Sequence, residues 1–555
     1  MIRLFEQHTV RQTTELDGMW DFTAEGYEKS YRMPVPGCWE QHPDFLSYRG
    51  KASYTKKVTI NRSGALRLEF KGVSHTADVY FDGEKVAHHY NAFTPFSAII
   101  PHAEKGRHEI RVEVDNTFGE HSALHIPNDY YTYGGITRPV LLENLHNVYI
   151  KQIHFTPFRQ GDSWKARIDV LVCNITDACV TFDLAGRMDA FELPQKRISL
   201  EKNSERTIIY EQDFPGVAPW SHEHPNLYLL TMILSADGLV FDDLIERVGF
   251  RTVELNANHI LLNGERVFLK GFNRHEDYAT VGCAIPLQLM VQDMDLMQDM
   301  GVNALRTCHY PNDERFLDLC DERGILVWEE NHARGLVLEN MQNPNFERQC
   351  QDCIREMIEN HYNHPGIIIW GILNECASET EEGRRMYAKQ YAQIKSLDTS
   401  RPTTSATCRH LKDICLDLPD IVSFNMYSGW YQDVDIAQRN EQEISWIKDA
   451  GGEGKPIIVS ELGAAAIYGC RDRSRCKWSE ERQADIIRDN LKVYMNDQNI
   501  TGVFIWQFAD CRVTEEGGWF ATRARCHNNK GVVDEYRRPK LAYDVIKEIF
   551  EAHTV

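Results

Sequence analysis

The alternation of apolar and polar positions changes its period once along this chain, near residue 250. Before that point alternate residues are apolar: Leu66, Leu68 and Phe70 form one run, Val79 and Phe81 lead into an Asp82-Gly83 turn, and Ile110, Val112 and Val114 form another. A period of two marks strands with one buried face. A second set, Ala166, Ile168, Val170 and Val172, follows Gly134-Gly135-Ile136-Thr137-Arg138-Pro139-Val140 and closes near Val248-Gly249-Phe250-Arg251. With few helical stretches between them, the two sets predict two β-sandwiches that meet near residue 149.

After residue 253 short apolar runs alternate with helical patterns. Buried-strand candidates are 267–273, 302–307, 325–330, 367–374, 402–406, 421–425, 456–461 and 502–507. Leu287, Met290, Met294 and Met297 recur at spacings of three and four, which reads as a helix packing face. Helices over 478–497 and 538–551 complete an eightfold strand–helix count, so a (β/α)8 barrel is expected over 253–555. The domains read from the pattern are 1–149, 150–252 and 253–555.

Two of these runs end in a carboxylate. Glu375 follows Ile367-Ile368-Ile369-Trp370-Gly371-Ile372-Leu373-Asn374, and Glu461 follows Pro456-Ile457-Ile458-Val459-Ser460. The C-terminal ends of barrel strands are where catalytic groups sit. Two acids on one rim are the equipment for breaking a glycosidic bond, at about 5–5.5 Å separation if configuration is retained. A strand cap or a partner for an arginine is the competing reading for each glutamate taken singly.

Composition narrows the partners. Hydrophobic residues make up 42% and charged residues 26%, a soluble balance, and no apolar run reaches the roughly 18 residues of a membrane span. Met1-Ile2-Arg3-Leu4-Phe5-Glu6-Gln7-His8 opens no apolar leader, and fifteen cysteines without paired spacing suit a reducing compartment, so a cytoplasmic protein is expected. Cys350 and Cys353 form a CxxC but share a helical pattern with Phe346, Ile354 and Met357, which reads as core. A net charge of −21 argues against nucleic acid and anionic membranes as partners. Self-association is left open.

The motifs Gly271-Phe272-Asn273-Arg274-His275-Glu276-Asp277, Arg306-Thr307-Cys308-His309-Tyr310-Pro311, Asn374-Glu375 and Ser460-Glu461 together resemble glycoside hydrolase family 2 over the whole chain. The resemblance implies a jelly-roll-like sandwich, an immunoglobulin-like sandwich and the catalytic barrel, with Glu375 as general acid/base and Glu461 as nucleophile. Asn425-Met426-Tyr427-Ser428-Gly429-Trp430-Tyr431, Trp506-Gln507-Phe508-Ala509-Asp510 and Asn528-Asn529-Lys530 resemble the β-glucuronidase branch. In that branch an Asn-x-Lys signature recognises the sugar carboxylate, which places Asn528 and Lys530 at the substrate.

Roles follow for the neighbours. Glu375 needs a raised pKa to serve as an acid, and Glu461 must stay ionised with donors around it. Tyr427 is the expected donor to Glu461, Asn374 the expected contact to the 2-hydroxyl, and Trp506 the floor of the sugar site. Asn425, Tyr431 and His309 join the substrate-binding set, and Asp162 is expected to reach the site from the second sandwich. Arg523 and Arg525 lie close enough upstream of Lys530 to assist, beyond a segment 513–519 that is longer than the branch pattern. Little chain separates Gly335 from the helix near Phe346, which implies an open mouth. Arg334, four residues beyond Glu330, adds a cation where the branch carries a small apolar residue; an ion pair with Glu329 or Glu330 is its alternative. The expected activity is a retaining exo-β-hexuronidase acting on a small-molecule or oligosaccharide uronide without metal or organic cofactor. A neutral-sugar β-galactosidase or β-mannosidase of the same family and a catalytically silent carbohydrate-binding protein are the alternatives.

Overall fold

The computed structural model describes residues 2–515 and 522–553; positions 516–519 of the long segment lie outside the described residues. Two sheets make the first sandwich. One has four strands in the order Gln12–Glu15, Val140–Leu145, Gly64–Phe70 and Phe96–Ala103; the other has six, with Lys51–Ile60 and Gly106–Asp115 at its centre. Their inward residues, among them Trp20, Tyr54, Leu66, Leu68, Val112 and Val114, form one core, as the alternation requires.

A second sandwich begins at Val148–Gln160. That strand pairs with Ser163–Asn174 and through it with Ser204–Phe214, opposite a four-stranded sheet closed by Leu239–Val248. Ala166, Ile168, Val170 and Val172 face its core, as their alternation predicts.

Eight parallel strands then close a barrel: β1 (Leu269–Asn273), β2 (Ala304–Thr307), β3 (Leu326–Glu330), β4 (Ile367–Asn374), β5 (Thr403–Thr407), β6 (Val422–Asn425), β7 (Ile457–Leu462) and β8 (Ile500–Ile505). Every residue of β4 and β7 is buried, which is why these runs show no alternation. The methionine stripe packs into the barrel shell from helix Leu287–Asp299, and Cys350 and Cys353 pack there from helix Phe346–His361.

Two details differ from the pattern. Residues Val253–Asn256, His259–Leu262 and Glu265–Val267 form a small antiparallel sheet, so the first barrel strand starts at Leu269 rather than 267. Ile260, Leu262 and Val267 pack with Leu269, Leu326 and Trp328, plugging the barrel's N-terminal end, and a plug is as apolar as a strand. The connection from β5 to β6 contains no helix; residues 408–421 run as loop and turn, and the strand–helix alternation breaks there.

Candidate active site

Glu375 and Glu461 come together at the C-terminal end of the barrel in one cavity of about 420 Å³, whose wall includes Arg334, Tyr427, Tyr431, Trp506, Arg523 and Lys530. Glu461 sits near the end of β7 and is buried. Its Oε1 accepts from Arg306 Nη1 at 3.1 Å and its Oε2 from the Tyr427 hydroxyl at 2.6 Å. Glu375 follows β4 with a φ of 54°, which turns the chain out of the strand. Its Oε1 accepts from Asn425 Nδ2 at 2.9 Å and its Oε2 lies 3.5 Å from Arg334 Nη2.

The two carboxyl side chains differ in burial, 4% exposed at Glu461 and 19% at Glu375. Burial and the neighbouring charge of Glu375 push Glu461 up to about 7, while Arg306 and Tyr427 pull against them. A raised carboxyl therefore exists, but it is the one expected to stay low. Desolvation acts most on the deeper group.

Arg306, at the end of β2, organises this floor. It grips both oxygens of Glu330 at 2.9 and 3.0 Å and donates to Asn273 at 3.0 Å and Asn374 at 2.8 Å. Asn374 accepts on its oxygen from Arg306 and Asn425, which leaves its buried amide nitrogen without a protein partner, a donor available to a ligand. The signal for Arg306 was in the sequence: a charge at the end of an apolar strand, the same feature that marks the two glutamates.

Trp506 continues β8 and is 2% exposed. His309 lies behind it, with ring planes 18° apart and centroids 5.0 Å apart. His309 is fully buried and places Nδ1 2.7 Å from Glu330, with its Nε2 left without a protein partner.

Lys530 and Asn528 arrive on the segment that follows β8. Lys530 is buried, its ammonium 5.5 and 5.2 Å from the ring centres of Tyr427 and Tyr431, and burial together with the charge of Arg523 holds its pKa below the ordinary lysine value. Tyr431 stands at the rim, 59% exposed; burial works to raise its phenol, but Lys530 and Arg523 pull it below the usual value. Asn528 is buried behind the wall and donates to Asp129 Oδ2 at 2.9 Å. Arg523 takes the same Asp129 through two bonds of 2.9 and 2.6 Å, whereas Arg525 turns away to Glu535.

Asp129 corrects the expectation about Asp162. Asp162 is an exposed residue at the tip of the hairpin between Val148–Gln160 and Ser163–Asn174. Arg159 of that hairpin lines a cleft with Lys270, Asn303 and His553, at the starts of β1 and β2 and hence at the opposite end of the barrel. The aspartate that does reach the site comes from the first sandwich, on the connection 116–134. Asn128 on the same stretch accepts from Arg334 Nη1 at 2.8 Å and donates to the Arg334 carbonyl at 3.2 Å. No periodicity or motif marks that loop in the sequence.

Arg334 is thus held between Asn128 and Glu375. Glu330 is occupied by Arg306 and His309, and Glu329 by His361 and Asn312, so neither is its partner. Cys408, Arg409 and His410, from the helix-free connection after β5, complete the wall beyond Glu375.

Comparison with known proteins places these features. Residues 253–554 match the model for the glycosyl hydrolases family 2 TIM barrel domain, and residues 148–251 the glycosyl hydrolases family 2 model. The chain is 27% identical to the β-glucuronidase of Paenibacillus borealis over 98% of each chain. It is also 27% identical to a longer protein of Formosa agariphila, of which it spans 64%. The crystal structure of a β-galacturonidase from Eisenbergiella tayi bound to galacturonate superposes with a TM-score of 0.97 at 49% identity, covering 100% of both chains.

Proposed function

We propose that this chain, which belongs to glycoside hydrolase family 2 and is a glycoside hydrolase, removes terminal β-linked hexuronic acids with retention of configuration. The observation that carries the reading is one cavity holding two strand-end glutamates and a buried lysine, Lys530. The similarity to a β-glucuronidase and to a galacturonate-bound β-galacturonidase supports the uronide class.

The steps follow from the positions. Glu461, ionised and steadied by Arg306 and Tyr427, attacks the anomeric carbon while Glu375 gives its proton to the leaving oxygen. Tyr427 shifts its hydrogen bond as the charge on Glu461 becomes a covalent ester. Glu375, now a base, takes a proton from water, and the hydroxide displaces Glu461 from the sugar. Asn374, with its amide unpaired, is placed for a sugar hydroxyl whose hydrogen bond strengthens in the oxocarbenium-like transition state.

The sugar carboxylate is assigned to Lys530 and Arg523. Asp129 offsets one of their two charges, which leaves one net positive charge for the substrate's negative one. Arg334, which lines the same cavity, is assigned to discrimination at C4, where a galacturonide would offer its fork of donors an axial hydroxyl. Proton NMR of the first hemiacetal released from a nitrophenyl β-galacturonide tests the mechanism. Retention predicts the β-anomer first; initial release of the α-anomer would replace the covalent route with direct displacement by water.

A further inference from the structure

Lys530 reaches the cavity on a stretch of chain that is tied down on both sides of it. Its own carbonyl accepts from Gln507 N, just beyond β8, at 3.0 Å. One residue later, Gly531 N donates to Asp510 Oδ1 at 2.9 Å. One residue earlier, the Asn529 carbonyl accepts from Ala466 N at 2.9 Å and from the Lys540 ammonium at 3.3 Å. Asp510 and Lys540 join these anchors into one unit: Lys540 Nζ donates to the two oxygens of Asp510 at 2.8 and 2.9 Å and to the Ala466 carbonyl at 2.7 Å. Both side chains are buried. Gly531 lies directly on this unit, since a Cβ there would stand 2.2 Å from the Asp510 nitrogen and 2.4 Å from the Val533 carbonyl, closer than any side chain allows.

We propose that Asp510 and Lys540 are positioning residues for sugar selection: they set where the Lys530 ammonium stands, and thereby how strongly acidic sugars are preferred over neutral ones. The inference rests on the assignment of the sugar carboxylate to Lys530. A lysine carries its charge on a flexible stem, so the charge is only as well placed as the backbone beneath it. Misplacing a binding group by about 1 Å can cost about 10²-fold in rate. A buried ion pair adds little net stability over a well-packed apolar pair of the same size. What this pair adds is direction, because it bonds Gly531 N–H and the carbonyls of Ala466 and Asn529 in fixed positions. Lys540 also stands at the N-terminus of helix Leu541–Ala552, so the pair fastens the Lys530 segment to the outer shell of the barrel.

The test measures kcat and KM for nitrophenyl β-galacturonide and β-galactoside in the full chain. Asp510→Asn/Lys540→Met keeps the shape of the pair and buries no lone charge. Gly531→Ala disturbs the same anchor without altering a charge, and it gives the same readout if the double variant does not fold. Lys547→Met, which removes a surface pair with Asp299 on the same helix, is the control. In both test variants the galacturonide-to-galactoside ratio of kcat/KM should fall by about tenfold or more, chiefly through a higher KM for the galacturonide, because the carboxylate contact is made in ground state and transition state alike. The control should keep the ratio of the unaltered enzyme. An unchanged ratio in either test variant overturns the proposal, and so does a loss shared equally by both substrates, which is the mark of a merely structural role. An unaltered enzyme that does not prefer the galacturonide defeats the assignment of Lys530 itself, and the inference with it.

Discussion

The barrel strands and the loops that lean over them contribute to this site in different ways. Glu375, Glu461, Arg306, Asn425 and Trp506 lie at or just beyond the ends of hydrogen-bonded strands, with Arg306 bonded to Glu461 at 3.1 Å and Asn425 to Glu375 at 2.9 Å. Asp129, Asn128, Arg334, Arg523 and Lys530 come from connections, one of them in a different domain, and hold one another across large sequence separations: Asp129 with Arg523, Asn128 with Arg334. On the proposed function, the strand set carries bond cleavage, which every β-glycoside needs, and the loop set carries selection of the sugar. Damage to the first should therefore strike all substrates alike, and damage to the second should strike some and spare others.

The largest effect is expected in the strand set. Glu461→Gln should lower turnover of every glycoside by about 10⁴-fold or more, since no glycosyl-enzyme can form. Glu375→Gln should remain active on dinitrophenyl leaving groups that need no proton, with added azide restoring part of the rate. Equal inactivity on good and poor leaving groups, without azide rescue, would exchange or cancel these roles.

In the loop set, Lys530→Ala removes a charge-assisted contact worth about 1.5–3 kcal/mol, so kcat/KM for uronides should fall about 10- to 150-fold. Neutral galactosides and glucosides should change little. A uniform loss would erase the contrast between the two sets.

The stereocentre is a finer test. Arg334→Val should depress galacturonide turnover more than glucuronide turnover, by about tenfold in their ratio for each 1.4 kcal/mol of differential contact. An unchanged ratio would remove Arg334 from sugar selection and leave it as a partner of Glu375.

Tyr427→Phe should produce the smallest change, visible in the pH profile. Glu461 must be ionised to attack, and its carboxyl stands at about 7, so kcat/KM should rise with pH through that region. The tyrosine hydrogen bond favours the ionised form. Losing it raises the carboxyl's pKa, and the acidic limb should move upward by about one unit. A limb that stays in place would mean that Arg306 alone sets the charge state of the nucleophile.

The same contrast explains what could be read from sequence. A strand buried on both faces is a run of apolar residues, and a charge at its end stands out; Glu375 and Glu461 were legible for that reason, and Arg306 carries the same mark. The eight strands were legible with them, apart from the first boundary, where Val267 of the apolar plug looks the same as a strand beginning. Loop residues have no period. Asp162 and Asp129 are both loop aspartates, and only the packing of the first sandwich against the barrel mouth brings the second of them to Arg523. The shift on Glu461 was also out of reach, because it depends on relative depth within one cavity.

A panel of nitrophenyl β-galacturonide, β-glucuronide, β-galactoside and β-glucoside on the unaltered enzyme measures the central claim most directly. The two uronides should exceed their neutral counterparts in kcat/KM by at least tenfold, with the galacturonide ahead of the glucuronide. Equal turnover of galactoside and galacturonide would contradict the assignment of Lys530 and Arg523 to a sugar carboxylate, and with it the hexuronidase reading.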